Sequence, residues 1–145
     1  MEYRHGSHTV YNIQYHFAWV TKYRYAVLDG EVKLRTRELV RQACLRHDLH
    51  ILQGHVSTDH VHILVSSVPH LAPSQIMQKI KGRSSRILQQ EFPHLRQRYW
   101  GKHIWARGYF CGTVGQVTAQ MIRDYIEGHA EKSPDDNFTL DSDER

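Results

Sequence analysis

Residues Ser57–Ser67, "STDHVHILVSS", combine the pattern of a buried β-strand with a pair of histidines. Successive side chains of a strand point to opposite faces of its sheet, so Val61 and Val65 share one apolar face. His60 and His62 then lie side by side on the reverse face. The apolar face needs a covering layer, whereas the reverse face is either an ordinary polar surface or a metal or phosphate site.

The elements around this strand predict an α+β fold. Strands are expected at residues 10–20, 49–57, 60–67 and 108–114, and helices at residues 29–48, 73–92 and 116–131. This βαββαβ order is the ferredoxin-like plan, in which two helices cover one face of an antiparallel sheet. The first and third strands are central neighbours in that plan. The last helix is left over and can cross the open face.

The composition is that of one globular domain. The 145 residues are 40% hydrophobic and 23% charged. We expect a single domain over residues 1–133 and an acidic, disordered tail over residues 134–145. Cys44 and Cys111 lie outside any C-x-x-C spacing, which predicts two small buried side chains. No apolar stretch is long enough for a membrane span and no signal peptide is recognisable, so a cytoplasmic protein is expected.

The charge distribution favours a polyanionic partner. Residues 1–133 carry 18 basic and 10 acidic side chains, although the acidic tail reduces the formal charge of the whole chain to +4. The basic residues predicted to contact nucleic-acid phosphates follow the first strand or lie on the second helix: Lys22, Arg24, Lys79, Lys81, Arg83 and Arg86. Four aromatic residues near them either stack on bases or pack in the core: Tyr99, Trp100, Trp105 and Tyr109.

Tyr125 and His129 lie one helical turn apart on the same face of the predicted last helix. Where that helix crosses the open sheet face, both side chains approach His60 and His62. A metal on imidazoles that polarises a phosphate oxygen, with a tyrosine hydroxyl that attacks phosphorus, is one coherent chemistry. Taken singly, each residue also fits a simpler explanation, such as core packing for the tyrosine.

The motif "DHVHILVS" resembles the HUH motif (histidine, hydrophobic residue, histidine) of the HUH nucleases. The resemblance extends over about residues 10–130, through "YHFAWVTKYRYAVL", "IKGRSSRILQQEFP", "WGKHIWARGYFCGTVG" and "IRDYIEGH". These segments are similar to the single-tyrosine transposases of small insertion sequences, the IS200/IS605 type. Residues 1–133 then form an HUH transposase catalytic domain.

This resemblance implies a homodimer that binds hairpins at the ends of the element, with active sites shared between subunits. It implies cutting and rejoining of single-stranded DNA through a 5′-phosphotyrosine, with Mg²⁺ or Mn²⁺. Tyr125 matches the nucleophile, and His60 and His62 match metal ligands. The relatives commonly have glutamine where His129 stands, and we expect His129 to be a third ligand. Three nitrogen ligands favour Mn²⁺ or another nitrogen-tolerant metal over Mg²⁺.

Two residues beside the histidine pair have subsidiary roles. His16 is expected to be a neighbour of the site rather than a ligand. Asp59 is expected to form the turn before the strand, in preference to orienting an imidazole.

Other functions remain open at this point. A non-catalytic module that binds single-stranded RNA or DNA can share the ferredoxin-like plan, but it has no need of Tyr125 or a metal. A phosphoesterase with paired His-x-Thr/Ser motifs has only a single "HTV" to support it. Replication initiators and relaxases share the HUH motif but usually carry further domains.

Overall fold

The computed structural model describes residues 3–113, 115 and 118–128. Its strands are β1 (Arg4–His5), β2 (Val10–Tyr11), β3 (Ile13–Val20), β4 (His50–Val56), β5 (His60–Ser67) and β6 (Phe110–Thr113). Its helices are α1 (Gly30–Arg46), α2 (Pro73–Glu91), α3 (Pro93–Arg98) and α4 (Ala119–Glu127), with a short 3-10 helix at Lys22–Arg24.

The sheet confirms the predicted fold class. Four antiparallel strands lie in the order β4-β5-β3-β6, so the first and third long strands are central neighbours. The register places Ala18 opposite His62 and Val20 opposite His60. A separate two-stranded ribbon, β1–β2, precedes the sheet.

The core lies between one face of the sheet and the helices α1 and α2. Phe17 and Trp19 of β3 are fully buried there with Val61 of β5, because alternate side chains of both strands point to the same side. Ile76 and Ile80 of α2 belong to the same cluster. Burial of each large apolar side chain contributes roughly 1.5–3 kcal/mol to the free energy of folding. This burial holds α1 and α2 on one face of the sheet, so the opposite face is the one on which α4 packs.

Several local predictions need correction. The strand predicted over residues 10–20 is interrupted at Asn12. The segment after α2 contains the unpredicted helix α3, which Pro93 opens at a position where its missing N–H is not needed. Cys44 is buried as predicted, but Cys111 lies exposed on the edge strand β6.

The last helix begins later than predicted. The Thr118 side chain accepts a hydrogen bond from the Met121 N–H at 3.1 Å and caps the first turn of α4. The predicted end of this helix at residue 131 and the predicted disordered tail lie outside the described residues. Within the part of the chain that is described, no helix is both long and apolar enough to cross a membrane.

Candidate active site

The sheet face opposite α1 and α2 presents a cluster of imidazoles. His60 and His62 lie on β5, His16 lies on β3, and the β4 residue His55 is paired in register with His62. The His55 and His60 ring centroids are 6.4 Å apart. The prediction that the histidine pair faces away from the two packed helices is therefore confirmed by the strand registers.

His60 is buried and fixed by the residue before it. Its Nδ1 lies 2.8 Å from Oδ1 of Asp59. A carboxylate accepts hydrogen bonds, so Nδ1 carries a proton, and Nε2 is the ring nitrogen that faces away from Asp59 and is positioned to ligate a metal. Asp59 therefore orients an imidazole, and the preference for a turn-forming role alone was wrong.

His62 is half-buried against His16. The His62 Nε2 lies 3.2 Å from the His16 Nδ1, and the two rings stack at 5.4 Å. The pKa of His62 is lowered to about 4, first by burial and then by repulsion from the neighbouring histidines. Burial also lowers the pKa of His16. Both imidazoles are therefore neutral at physiological pH, which is the protonation state that ligates metals.

The side chains of His60 and His62 fit the role of two ligands to a divalent metal ion. His60 has its tautomer set by a carboxylate, and His62 is neutral. Across residues 3–113, 115 and 118–128, no three His, Cys, Asp or Glu side chains are arranged to hold a metal ion. The predicted third ligand, His129, lies outside those residues. Nitrogen donors suit Mn²⁺ better than Mg²⁺, which prefers oxygen.

Tyr125 lies on α4, whose apolar side packs on the open face of the sheet. Ile126 is buried against Val20 of β3 and Ala106, and Tyr125 packs against the same cluster. The Tyr125 ring is 5.9 Å from the ring of Phe110 on β6. Burial raises the pKa of Tyr125 to about 12, so the hydroxyl keeps its proton at neutral pH. The nucleophile predicted from the sequence and the histidine pair thus belong to the same side of the sheet.

Arg24 does not belong to the predicted phosphate-contacting surface. Its guanidinium is fully buried, where it pairs with Asp59 at 2.7 Å and donates to the carbonyl oxygen of Ile126 at 2.7 Å. Sequence reasoning missed this because a basic residue after a strand is ordinarily exposed. The prediction that Arg24 contacts DNA was therefore wrong.

The other basic residues divide into two groups. Lys79 and Arg86 are exposed on α2, and the pKa of the partly buried Arg83 is lowered by burial and by Arg46, Arg35 and Arg86 nearby. Arg83 lies near Arg35 and Arg46 of α1, so this group is on the helical side of the molecule.

The second group lines a cleft of about 550 Å³ between α2 and the loop at residues 103–108. Lys81 donates from Nζ to the carbonyl oxygens of Ala106 at 2.9 Å and Gly108 at 2.7 Å, which holds this loop. Burial lowers the pKa of Lys81 to about 8. Lys22 and the exposed Arg107 line the same cleft.

The four aromatic residues considered for base stacking differ in their burial. Tyr99 and Trp105 belong to the core, and the Trp105 Nε1–H donates to Ser84 Oγ at 2.9 Å. Tyr109 is partly buried against the same core. Trp100 is 85% exposed, so it is available to stack on a base.

His55 is a residue of the cluster that sequence reasoning did not single out. It lies on β4, directly opposite His62 in the antiparallel register. The sequence "LHILQGHVS" carries this histidine a few residues before the hairpin turn, and pairing the two strands across that turn gives the neighbour relationship.

The chain matches known proteins along most of its length. Residues 9–129 match the protein family described as Transposase IS200 like. The chain is 33% identical over 132 residues to the ISDra2 transposase TnpA of Deinococcus radiodurans, covering 91% of this chain and 94% of that protein. It is 34% identical over 126 residues to the transposase for insertion sequence element IS200 of Salmonella typhimurium, covering 87% and 82% of the two chains.

Solved structures give the same picture of the fold. The crystal structure of a putative transposase from Deinococcus radiodurans R1 superposes with a TM-score of 0.81 at 33% identity, over 87% of this chain and 97% of that chain. A REP-associated tyrosine transposase bound to a REP hairpin superposes with a TM-score of 0.53 at 12% identity, over 85% and 69% of the two chains. The second similarity bears on the fold alone.

Proposed function

This chain belongs to the IS200-like transposase family, and we propose that it cuts and rejoins single-stranded DNA through a covalent bond to Tyr125. The observation that carries the proposal is the packing of α4, which bears Tyr125, on the same sheet face that presents His60 and His62. A nucleophile and candidate metal ligands on one face are what metal-assisted attack on a phosphodiester requires.

The proposed first step is transfer of a DNA phosphate to tyrosine. The Tyr125 oxygen attacks phosphorus, the bond from phosphorus to the 3′ oxygen breaks, and that oxygen takes up a proton to leave a free 3′-OH. The Tyr125 hydroxyl, whose pKa is raised to about 12, starts the step protonated and gives its proton to water as the bond to phosphorus forms. Water returns a proton to the departing 3′ oxygen, so the step neither gains nor loses protons. A divalent cation, if held at this face, would stabilise negative charge on the phosphate oxygens and so make phosphorus easier for the Tyr125 oxygen to attack. His60 and His62 are the described residues proposed to hold it, with His129 as the third ligand.

Rejoining reverses this step with a different strand. The phosphotyrosine conserves the energy of the original phosphodiester, so attack by a 3′-OH of another strand regenerates both the DNA bond and the free tyrosine. No external energy source is required for the exchange. Burial of the Tyr125 ring against Phe110 favours this outcome over hydrolysis because it limits the access of water to the intermediate.

The proposed DNA substrate is a hairpin at the end of an insertion sequence. Two features of α2 support contact with a phosphate backbone: the exposed cations Lys79 and Arg86, and the cleft lined by Lys81 and Lys22. Gly82 lines that cleft, and a Cβ placed there meets no atom within 4 Å among the described residues, apart from the backbone of its own helix. A neighbouring helix therefore does not account for this glycine, which leaves close approach of DNA as the proposed reason.

We further propose that the active protein is a homodimer in which α4 can serve either subunit. Gly115 lies in the linker before α4 with φ of +92°, a backbone conformation that glycine adopts without strain. A helix on such a linker can dock on its own sheet or on that of a partner. Exchange of one element is a low-cost route to a symmetric dimer.

The test is capture of the covalent intermediate. A labelled single-stranded oligonucleotide taken from the DNA that flanks this coding sequence is incubated with the protein and Mn²⁺, and adducts are resolved on a denaturing gel. The wild type is expected to form an adduct, and Tyr125→Phe is expected to form none, because one oxygen has been removed. Adduct formation by Tyr125→Phe would assign the nucleophile elsewhere.

The His60→Ala variant completes the experiment. It is expected to lose the adduct while retaining affinity for the hairpin, because phosphate contacts on α2 are unchanged. Hairpin binding by the wild type without any cleavage or adduct would favour the alternative, a non-catalytic nucleic-acid binding module.

A further inference from the structure

The buried guanidinium of Arg24 connects Asp59, the residue directly before β5, to the last turn of α4. Its Nε and Nη2 donate to Oδ2 of Asp59 at 3.0 and 2.7 Å, and its Nη1 donates to the carbonyl oxygen of Ile126 at 2.7 Å. The carbonyl groups in the last turn of a helix lack partners within the helix, so a cation at this position is favourable. One planar side chain therefore bridges two elements that are far apart in the sequence.

The connection continues to the imidazole of His60. The second carboxylate oxygen of Asp59, Oδ1, accepts from His60 Nδ1 at 2.8 Å. The Asp59 main chain is also held, because its carbonyl oxygen accepts from the Thr21 N–H at 2.9 Å. A continuous series of hydrogen bonds thus runs from α4 through Arg24 and Asp59 to His60.

This arrangement is costly for a purely structural feature. A buried ion pair must offset the loss of hydration of both charges, and apolar residues of similar volume often stabilise a core as well or better. The backbone is also strained, because Tyr23 and Arg24 have φ of 63° and 56°, in the left-handed region that disfavours side chains. Strain of this kind concentrates at functional sites.

We propose that Arg24 is a positioning residue, which seats the tyrosine-bearing helix and, through Asp59, orients His60. Ile126 is the residue next to Tyr125. The hydrogen bond from Arg24 to its carbonyl oxygen therefore fixes the position of this turn of α4 relative to β5. A lysine supplies a point charge but cannot donate in a fork to both Asp59 and Ile126. The catalytic meaning of this inference rests on the proposed function, whereas the seating of α4 does not.

The first measurement is hydrogen–deuterium exchange of the full-length protein without DNA or metal. In Arg24→Lys, peptides that cover residues 119–127 are expected to exchange roughly tenfold faster or more, because a charge-assisted hydrogen bond is removed. Peptides from β3 and β5 are expected to keep their protection. The matched control is Arg35→Lys, which alters a paired arginine on the other side of the sheet that donates to Glu91 at 2.8 Å.

The second measurement is Mn²⁺ binding to the DNA-free protein by titration calorimetry. Arg24→Lys and Asp59→Asn are expected to weaken binding about 10- to 100-fold, the usual effect of removing a partner that orients a ligand. Asp59→Asn also serves as the second test of seating, because it leaves Arg24 in place but removes the charge that fixes its guanidinium.

Unchanged exchange in α4 for both folded variants would overturn the proposal. Global loss of the folded state in Arg24→Lys would overturn it too, because the residue would then serve the core in general rather than the docking of one helix. If the wild type binds no Mn²⁺, the metal part of the proposed function fails, and the exchange data still decide whether Arg24 seats α4.

Discussion

Nε2 of His62 lies 3.2 Å from Nδ1 of His16, across the two central strands of the sheet. Burial of the His62 ring, and after it repulsion from His16 and the other neighbouring histidines, disfavours a positive charge on that ring. The pKa of His62 is accordingly lowered to about 4. The candidate metal ligand stays unprotonated well below neutral pH, so protons compete with a metal ion for this nitrogen only in acid.

The pH dependence of stability should reveal this shift. The unfolded chain binds more protons than the folded one between pH 6.5, the ordinary pKa, and about pH 4. The stabilisation is therefore complete above pH 6.5 and is lost as the pH falls towards 4. We expect His62 to account for about 1–2 kcal/mol of the stability lost in acid, after a discount for solvent screening.

The measurement is thermal unfolding of the metal-free protein at pH 7 and pH 4.5. His62→Gln should lose less stability between the two pH values than the wild type. His70→Gln, which removes an exposed imidazole outside the cluster, is the matched control. Equal losses in the wild type and His62→Gln would contradict the assigned burial of His62.

The choice of metal should depend on His129, although this residue lies outside the described part of the chain. Imidazole nitrogen suits Mn²⁺ better than Mg²⁺. We expect the wild type to cleave at least as fast with Mn²⁺ as with Mg²⁺, and His129→Gln to shift the rate ratio towards Mg²⁺. The measurement is single-turnover cleavage with each metal. A ratio that does not move on substitution would exclude His129 as a ligand.

The exposed cations of α2 should determine the salt dependence of hairpin binding. Replacing Lys79 and Arg86 with glutamine should weaken binding and reduce the slope of log K against log salt by roughly 0.7–0.9 for each phosphate that these side chains neutralise. Arg41→Gln is the matched control, since Arg41 is an exposed arginine on α1 that pairs with Glu38. A slope equal to that of the wild type would mean that these α2 side chains face only solvent.

Gly82 offers a test in which stability and binding should change in opposite directions. Alanine is expected to stabilise α2 by about 0.5–1 kcal/mol, because glycine costs backbone entropy in a helix and the added methyl group meets open space. Hairpin affinity should fall if DNA approaches the backbone at this position. Thermal unfolding and a filter-binding titration of Gly82→Ala measure the two effects. Higher stability with undiminished affinity would rule out close approach.

Features that depend on periodicity were predictable from the sequence, whereas features that depend on tertiary partners were not. Alternation along β3 and β5 assigns each side chain to a face, so the fold and the open position of His60 and His62 were predictable. The burial of Arg24 was not predictable from the sequence. An arginine enters a protein interior only where a carboxylate and a carbonyl are already positioned to accept its hydrogen bonds. The local sequence predicts Asp59 in a turn, but nothing in it indicates that Asp59 pairs with Arg24, which is distant in the sequence.

The sheet on which α4 docks decides which subunit's histidines lie beside Tyr125 in the proposed dimer. In this structure α4 docks on its own sheet, through Ile126 against Val20 and through the hydrogen bond from Arg24. The linker nevertheless contains Gly115, whose positive φ allows a different path for the chain. The proposed homodimer can therefore place the tyrosine of one subunit beside the histidines of the other.

Mixed dimers distinguish the two arrangements. Tyr125→Phe and His62→Ala homodimers are each expected to be inactive, because every site lacks either its nucleophile or a ligand. If α4 docks on the partner, a heterodimer of the two variants contains one intact site, in which wild-type histidines from the Tyr125→Phe subunit meet the wild-type tyrosine of the His62→Ala subunit. Mixing under conditions of subunit exchange should then restore cleavage at one site per dimer. If α4 docks on its own sheet during cleavage, every site retains one lesion and the mixture stays inactive. Exchange is verified separately with subunits carrying different tags, so that inactivity with proven exchange assigns the cleaving state to the arrangement in which Arg24 holds its own α4.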